Sequence, residues 1–161
     1  MATTETPVTT GALPQGTVVL KSHDQWDKFD RQLELYAESL NVWKYVDPHQ
    51  LSNEPTEPTH LTFEEIQQAY TAGDATSRDL IKLRQTDADR RQRMYDIFAA
   101  ARSKLITYLI RTTTELGQEL MHGQNTLRAK YQALKDQYGP DDMLRFRRLA
   151  HAESMTGAQT G

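Results

Sequence analysis

The sequence predicts an all-α protein, a compact bundle of five to seven helices. Three observations point there. Apolar residues recur at steps of three and four through most of the chain, Gly and Pro punctuate the stretches between, and a single β-like run, TVVLK at Thr17 to Lys21, has no second run to pair with. The short turns between periodic stretches imply antiparallel neighbours.

The elements follow in order. Residues 1–18 are rich in Thr, Pro and Gly and hold only isolated apolar positions, too few to offset the entropy of ordering them, so they read as a disordered tail. Ser22 and Gln25 have the spacing of a capping box and open a helix expected to run to about Val46, stopped by Pro48. Trp26, Phe29, Leu33, Tyr36, Ala37 and Leu40 line one side of it, and Asp27, Asp30, Arg31, Glu34 and Glu38 the other. The segment HQLSNEPTEPTH is a proline-stiffened loop. Thr62 and Glu65 form the strongest local start signal, a capping box with Leu61 and Ile66 spaced as a hydrophobic staple; it predicts a short helix from Phe63 to Ala72 stopped by Gly73.

Capping residues from Asp74 to Asp79 start another helix through Leu80, Ile81 and Leu83, whose continuation RQTDADRRQR is polar all round and reads as a break or a bare surface turn. From Met94 the apolar positions, including Ile97, Phe98, Leu105, Leu109 and Ile110, cover most of the helix circumference, so this helix is expected to be central and the most buried. Thr112, Thr113 and Thr114 interrupt it before a short helix with Leu116, Leu120 and Met121. Asn125 is placed as the cap of a helix bearing Leu127, Tyr131, Leu134 and Tyr138, closed by Gly139 and Pro140. The helical domain thus spans 19–139, and 140–161 reads as an extra helix, with Met143, Phe146, Leu149 and Ala150, or as the start of a following domain, with a disordered end.

Composition bounds the function. At 161 residues the chain suits one domain with a real core, and a mean hydropathy of −0.72 is on the polar side of globular. There is no apolar run long enough to cross a membrane and no secretory-type leader, so no membrane partner is expected, and for a chain without cysteine a cytosolic or nuclear setting is the simplest, the cytoplasmic one being the expectation. With no cysteine, thiolate zinc sites are excluded. Charge is split along the chain: residues 1–70 hold four basic against eleven acidic residues, a net −7, whereas 71–161 hold fifteen against eleven, a net +4. Such a split suits contacts between copies, a basic face for nucleic acid, or simply solvated helix faces.

The search for chemistry yields little. The five histidines share no helical turn with one another, there is no glycine-rich phosphate loop since the glycines mark helix ends and termini, and no serine-nucleophile signature appears. Asp87 and Asp89 sit among Arg90, Arg91 and Arg93, which favours local charge compensation over metal binding. No catalytic residue, metal or cofactor is expected. Arg90, Arg91 and Arg93, with the second group Arg145, Arg147 and Arg148 around Phe146, remain as contacts for RNA or for a neighbouring copy.

Over about Thr17 to Gly139 the order of motifs resembles the N-terminal part of Gag from Copia-type retrotransposons. Leu20, Trp26, Phe29, Leu33, Trp43 and Val46 match the family's first block; Leu109, Ile110, Leu116 and Leu120 resemble the middle; Thr126, Tyr131, Leu134 and Tyr138 match the last. Tyr131 stands where the family usually has Trp, and Lys21 and Ser22 replace its usual glycine. The resemblance implies a fold like the N-terminal domain of retroviral capsid proteins and a structural role: weakly self-associating copies that build a virus-like particle around element RNA. The helical spacing places Trp26, Phe29, Leu33, Tyr36, Trp43, Phe98, Leu105, Leu109, Tyr131, Leu134 and Tyr138 in the structural core, and the resemblance makes Trp26 and Trp43 its anchors. The competing class is a helical adaptor or RNA-binding module that forms no particles.

Overall fold

A computed structural model describes residues 13–140, and within them the chain is all-α with six α-helices. Of the tail predicted over 1–18, residues 1–12 lie outside the described residues, as does the predicted helix from Asp141. Residues 13–18 run against the first helix, α1 (Trp26–Ser39): the Gln32 side chain accepts from the Val18 amide at 2.8 Å and donates to the Gly16 carbonyl at 2.9 Å.

The β-like run does find a partner, a correction to the reading of it as a lone segment. Leu20 is fully buried, its amide donates to the Thr112 carbonyl at 2.7 Å, and it makes an isolated parallel bridge with Thr113. The partner is invisible to a search for strands because it is a helix end. The backbone turns extended at Thr113 (φ −119°, ψ 158°) and leaves a carbonyl free to accept.

The capping box predicted at Ser22 and Gln25 does not form: Gln25 Oε1 accepts from the Lys21 amide at 2.7 Å, one residue before the expected cap, the Ser22 hydroxyl makes no cap bond, and a 3-10 turn, His23–Gln25, precedes α1. Nor does α1 reach Val46. It ends in a Schellman motif in which Asn41 takes a left-handed conformation (φ 58°), the Asn41 amide bonds Glu38 O and the Val42 amide bonds Ala37 O. Asn tolerates that region better than other side chains with a Cβ, and Ala37 and Val42, buried together, supply the motif's apolar contact. The two tryptophans therefore sit on different helices, Trp43 opening the one-turn α2 (Trp43–Val46).

The capping box forms as predicted, with Glu65 N to Thr62 Oγ1 at 3.2 Å and Thr62 N to Glu65 Oε2 at 3.1 Å, and starts α3 (Phe63–Thr71). Gly73 (φ 68°) turns the chain into α4 (Ala75–Thr112), capped by Asp74. Here two expectations fail. The polar stretch RQTDADRRQR is neither break nor turn, since α4 is one helix of 38 residues, about 57 Å long. It contains no Gly or Pro, and pairs at helical spacing brace it: Asp87 with Arg90 and Arg91, and Gln92 with Asp96. Nor is α4 buried all round. Phe98, Leu105 and Leu109 are in the core, whereas Met94 and Ile97 are exposed near where so long a rod overshoots the bundle, and Ile110 lies on the outward face of the anchored end.

Thr112 and Thr113 turn their hydroxyls back onto the Tyr108 and Leu109 carbonyls, closing α4 before α5 (Glu115–His122). Gly117 lies inside α5 rather than at an end, since a Cβ there would come within 2.8 Å of Thr113 Cβ. The last helix, α6 (Leu127–Tyr138), is capped by Thr126 rather than Asn125, the Thr126 hydroxyl accepting from the Ala129 amide at 3.1 Å.

The core closes around α6. Leu127, Tyr131, Leu134 and Tyr138 are all buried, together with Trp26, Phe29 and Leu33 of α1. Both indoles meet the Tyr131 ring with centroids 5.8 Å away, Trp43 edge-on and half-buried, Trp26 tilted and buried. The Tyr131 hydroxyl donates to Asp30 at 2.8 Å. Tyr36 is half-buried and stacks on Tyr108 at 4.6 Å.

Two outcomes follow for stability. Trp26→Ala is expected to cost about 3–5 kcal/mol and Trp43→Ala less, read by thermal or denaturant melting. Burial, then the hydrogen bond to Asp30, holds the Tyr131 phenol well above its ordinary range. The unfolded phenol ionises above about pH 10 while the folded one stays protonated, so stability is complete below that pH and falls above it. Tyr131→Phe should flatten this alkaline loss, leaving a smaller one from Tyr108, whose hydroxyl burial also raises.

Candidate interaction surface

The predicted arginines divide between two situations. Arg90 and Arg91 both reach Asp87 on the adjoining turn, at 3.0 and 2.8 Å, with their side chains exposed. The compensation expected of the Asp87 and Asp89 pair is thus made through Asp87. Arg93 is exposed on the same helix. Arg145, Arg147 and Arg148 lie outside the described residues.

The arginines that fix the architecture are others, which sequence reasoning missed. Arg128, in the first turn of α6, donates to the Asp47 carbonyl at 3.0 Å, Lys44 O at 3.2 Å and Ser52 O at 2.7 Å, so one guanidinium gathers the end of α2 and the start of the proline loop. Glu54 answers from the loop. Its carboxylate accepts from Arg102 Nε at 2.7 Å and from the Leu127 amide at 2.9 Å, a negative charge set at the N-terminus of α6. Arg102 also donates to Asn125 O at 2.7 Å. Lys130 lies close by and donates to Met121 O at 3.0 Å; burial, then the Arg102 charge, lowers its ammonium below the ordinary lysine range, while Glu54 opposes this. Arg102, Arg128, Lys130 and Glu54 are each hydrogen-bonded within the chain, so the cluster holds the loop down.

The pinned loop forms one wall of a groove of about 540 Å³. Leu40 and Tyr45 line it from the α1–α2 corner, Pro55 and Pro58 from the loop, and Met94 and Ile97 from α4. The groove opens onto an apolar stripe on the outer half of α4, where Leu80 is 56% exposed, Leu83 66%, Met94 63% and Ile97 72%. On the other side α3 packs against α4, where Ile81 is buried apart from the main core. Among the described residues no three His, Asp or Glu side chains are grouped to hold a metal ion, and no helix is long and apolar enough to cross a membrane.

Comparison of the chain with models of protein families, with curated proteins and with solved structures finds no match. The arrangement suits protein contact. Leucine, methionine and isoleucine side chains standing in water beside an apolar groove gain free energy when covered.

Arg128→Ala is expected to lower stability by about 2–3 kcal/mol by leaving three carbonyls without their charged donor. It should also make the 47–54 backbone more accessible to proteolysis, which limited digestion would read.

Proposed function

We propose that the chain is the N-terminal capsid domain of a Copia-type retrotransposon Gag, or of a domesticated relative. In this reading copies assemble in the cytoplasm into a shell enclosing element RNA, and the domain has no catalytic role. The observation that carries it is the contrast within α4: from Phe98 onward it gives Phe98, Leu105 and Leu109 to a closed helical core, while over 80–97 it presents Leu80, Leu83, Met94 and Ile97 uncovered. A domain stable by itself yet carrying such a stripe suits weak, repeated contacts, which valency multiplies into a particle. The resemblance in motif order and the all-α architecture support the same reading.

Arg90 and Arg91 favour protein contact over RNA, because both are already paired with Asp87, which offsets one of their two charges. The chain at high concentration should form shells of regular size in electron micrographs. Folded protein that stays unassembled across concentration and salt would reject the reading. RNA affinity of this chain should be weak and fall steeply between about 50 and 200 mM salt; tight binding without particles would favour the RNA-binding module.

A further inference from the structure

The stripe on α4 has a register. Leu80, Leu83, Asp87, Arg90, Met94 and Ile97 follow one another at alternating steps of three and four, the spacing of a coiled-coil seam along one uninterrupted helix. Two apolar layers lie on each side of a charged pair, so the seam reads the same in either direction: apolar, apolar, charged, charged, apolar, apolar. The two charges at its centre have opposite sign.

The geometry points to an antiparallel, two-fold pairing of α4 with the α4 of a second copy, centred between Ala88 and Asp89. This deepens the shell reading and takes self-association from it, while the register is argued from α4 alone. In the pairing Leu80 packs on Ile97 of the second copy and Leu83 on Met94 of the second copy. Each of these four layers joins two side chains that are each more than half exposed in the single chain. At the centre Asp87 meets Arg90 of the second copy twice across the axis. The Arg90 that already lies 3.0 Å from Asp87 within its own chain can add this contact without giving up its charge partner. Leu80 and Leu83 of the second copy then lie along the groove beside Met94 and Ile97, covering its apolar wall.

Competing registers are worse. A parallel pairing sets Asp87 on Asp87 and Arg90 on Arg90, and an antiparallel pairing shifted by one heptad buries a charge against Leu83 or Ile97. The contact is isologous, so it closes as a dimer and leaves other faces free for larger assembly. Arg84 and Arg91 of opposite copies approach on one flank, and their repulsion keeps the affinity modest at low ionic strength.

The absence of native cysteine makes the test clean. The double variant L83C/M94C, mildly oxidised at a concentration where sedimentation shows dimer, should convert to covalent dimer on non-reducing gels. L83C alone should stay monomeric, because the two copies of that position are about 16 Å apart along the axis. D87R and R90D should each sediment as monomer, at least tenfold weaker in association than the parent, and regain dimer when mixed one to one. Ile97→Glu should abolish dimer with an unchanged melting temperature, since that side chain touches no core. Cross-linking of L83C alone, no cross-linking of the double variant, or dimer undiminished by Ile97→Glu overturns the pairing. Shells that persist in Ile97→Glu would remove this interface but leave the shell reading standing, and dimers that never form shells would do the reverse.

Discussion

The bundle depends on the Tyr131 ring. It stands where α1, α2 and α6 converge, and two tryptophans separated by a helix break lean on it from different directions. An aromatic ring with a hydroxyl suits this position in a way that a purely apolar one does not, because its outer end must meet the acidic side of α1. The hydroxyl does so through Asp30. The core is thus completed by a group that spans from the apolar interior to the polar margin, and the angle between α1 and α6 is set by one hydrogen bond as well as by packing.

A second constraint acts on the proline loop, which has no periodicity and few apolar side chains of its own to bury. It is held from outside by Arg128 taking its carbonyls and by Glu54 returning a carboxylate to the start of α6. Prolines at 55 and 58 keep the following backbone extended, so once those two residues are in place the loop stands as a wall beside α4. A charged network at the base of the loop thereby produces an apolar groove at its rim. The groove and the outer stripe of α4 share Met94 and Ile97, which gives the molecule one face of mixed origin: part loop, part helix corner, part free helix.

Much of this was legible in local signals. The Thr62 and Glu65 capping box, the stop at Gly73, the threonine interruption at 112–114 and the buried face of α6 all follow from spacing and from the chemistry of single residues. The misses share a cause. Leu20 pairs with a helix end, Arg128 and Glu54 act across tens of residues, and Gly117 is required by a side chain four positions away that only tertiary packing fixes. The helix break at Asn41 was readable in principle, since Asn after a helical stretch favours the left-handed cap, but the apolar pattern continues across it and hid the signal. For α4 the pattern counted apolar residues correctly and misjudged their burial, because periodicity reports which residues share a face and not whether anything lies opposite. The candidate surface is only partly visible for that reason: the arginines stand out, Leu80 and Leu83 mark only a helix, and Met94 and Ile97 read as part of a buried one.

The unbroken length of α4 has a consequence for how the molecule breathes. Backbone amides over 98–112 open only when the core opens, whereas 75–90 adds no side chain to the main core and has α3 packed beside it. One continuous rod therefore contains two protection regimes against hydrogen exchange, with a gradient from its anchored end to its free end. Whatever seats on the free end erases the gradient and transmits its grip straight into the hydrophobic interior.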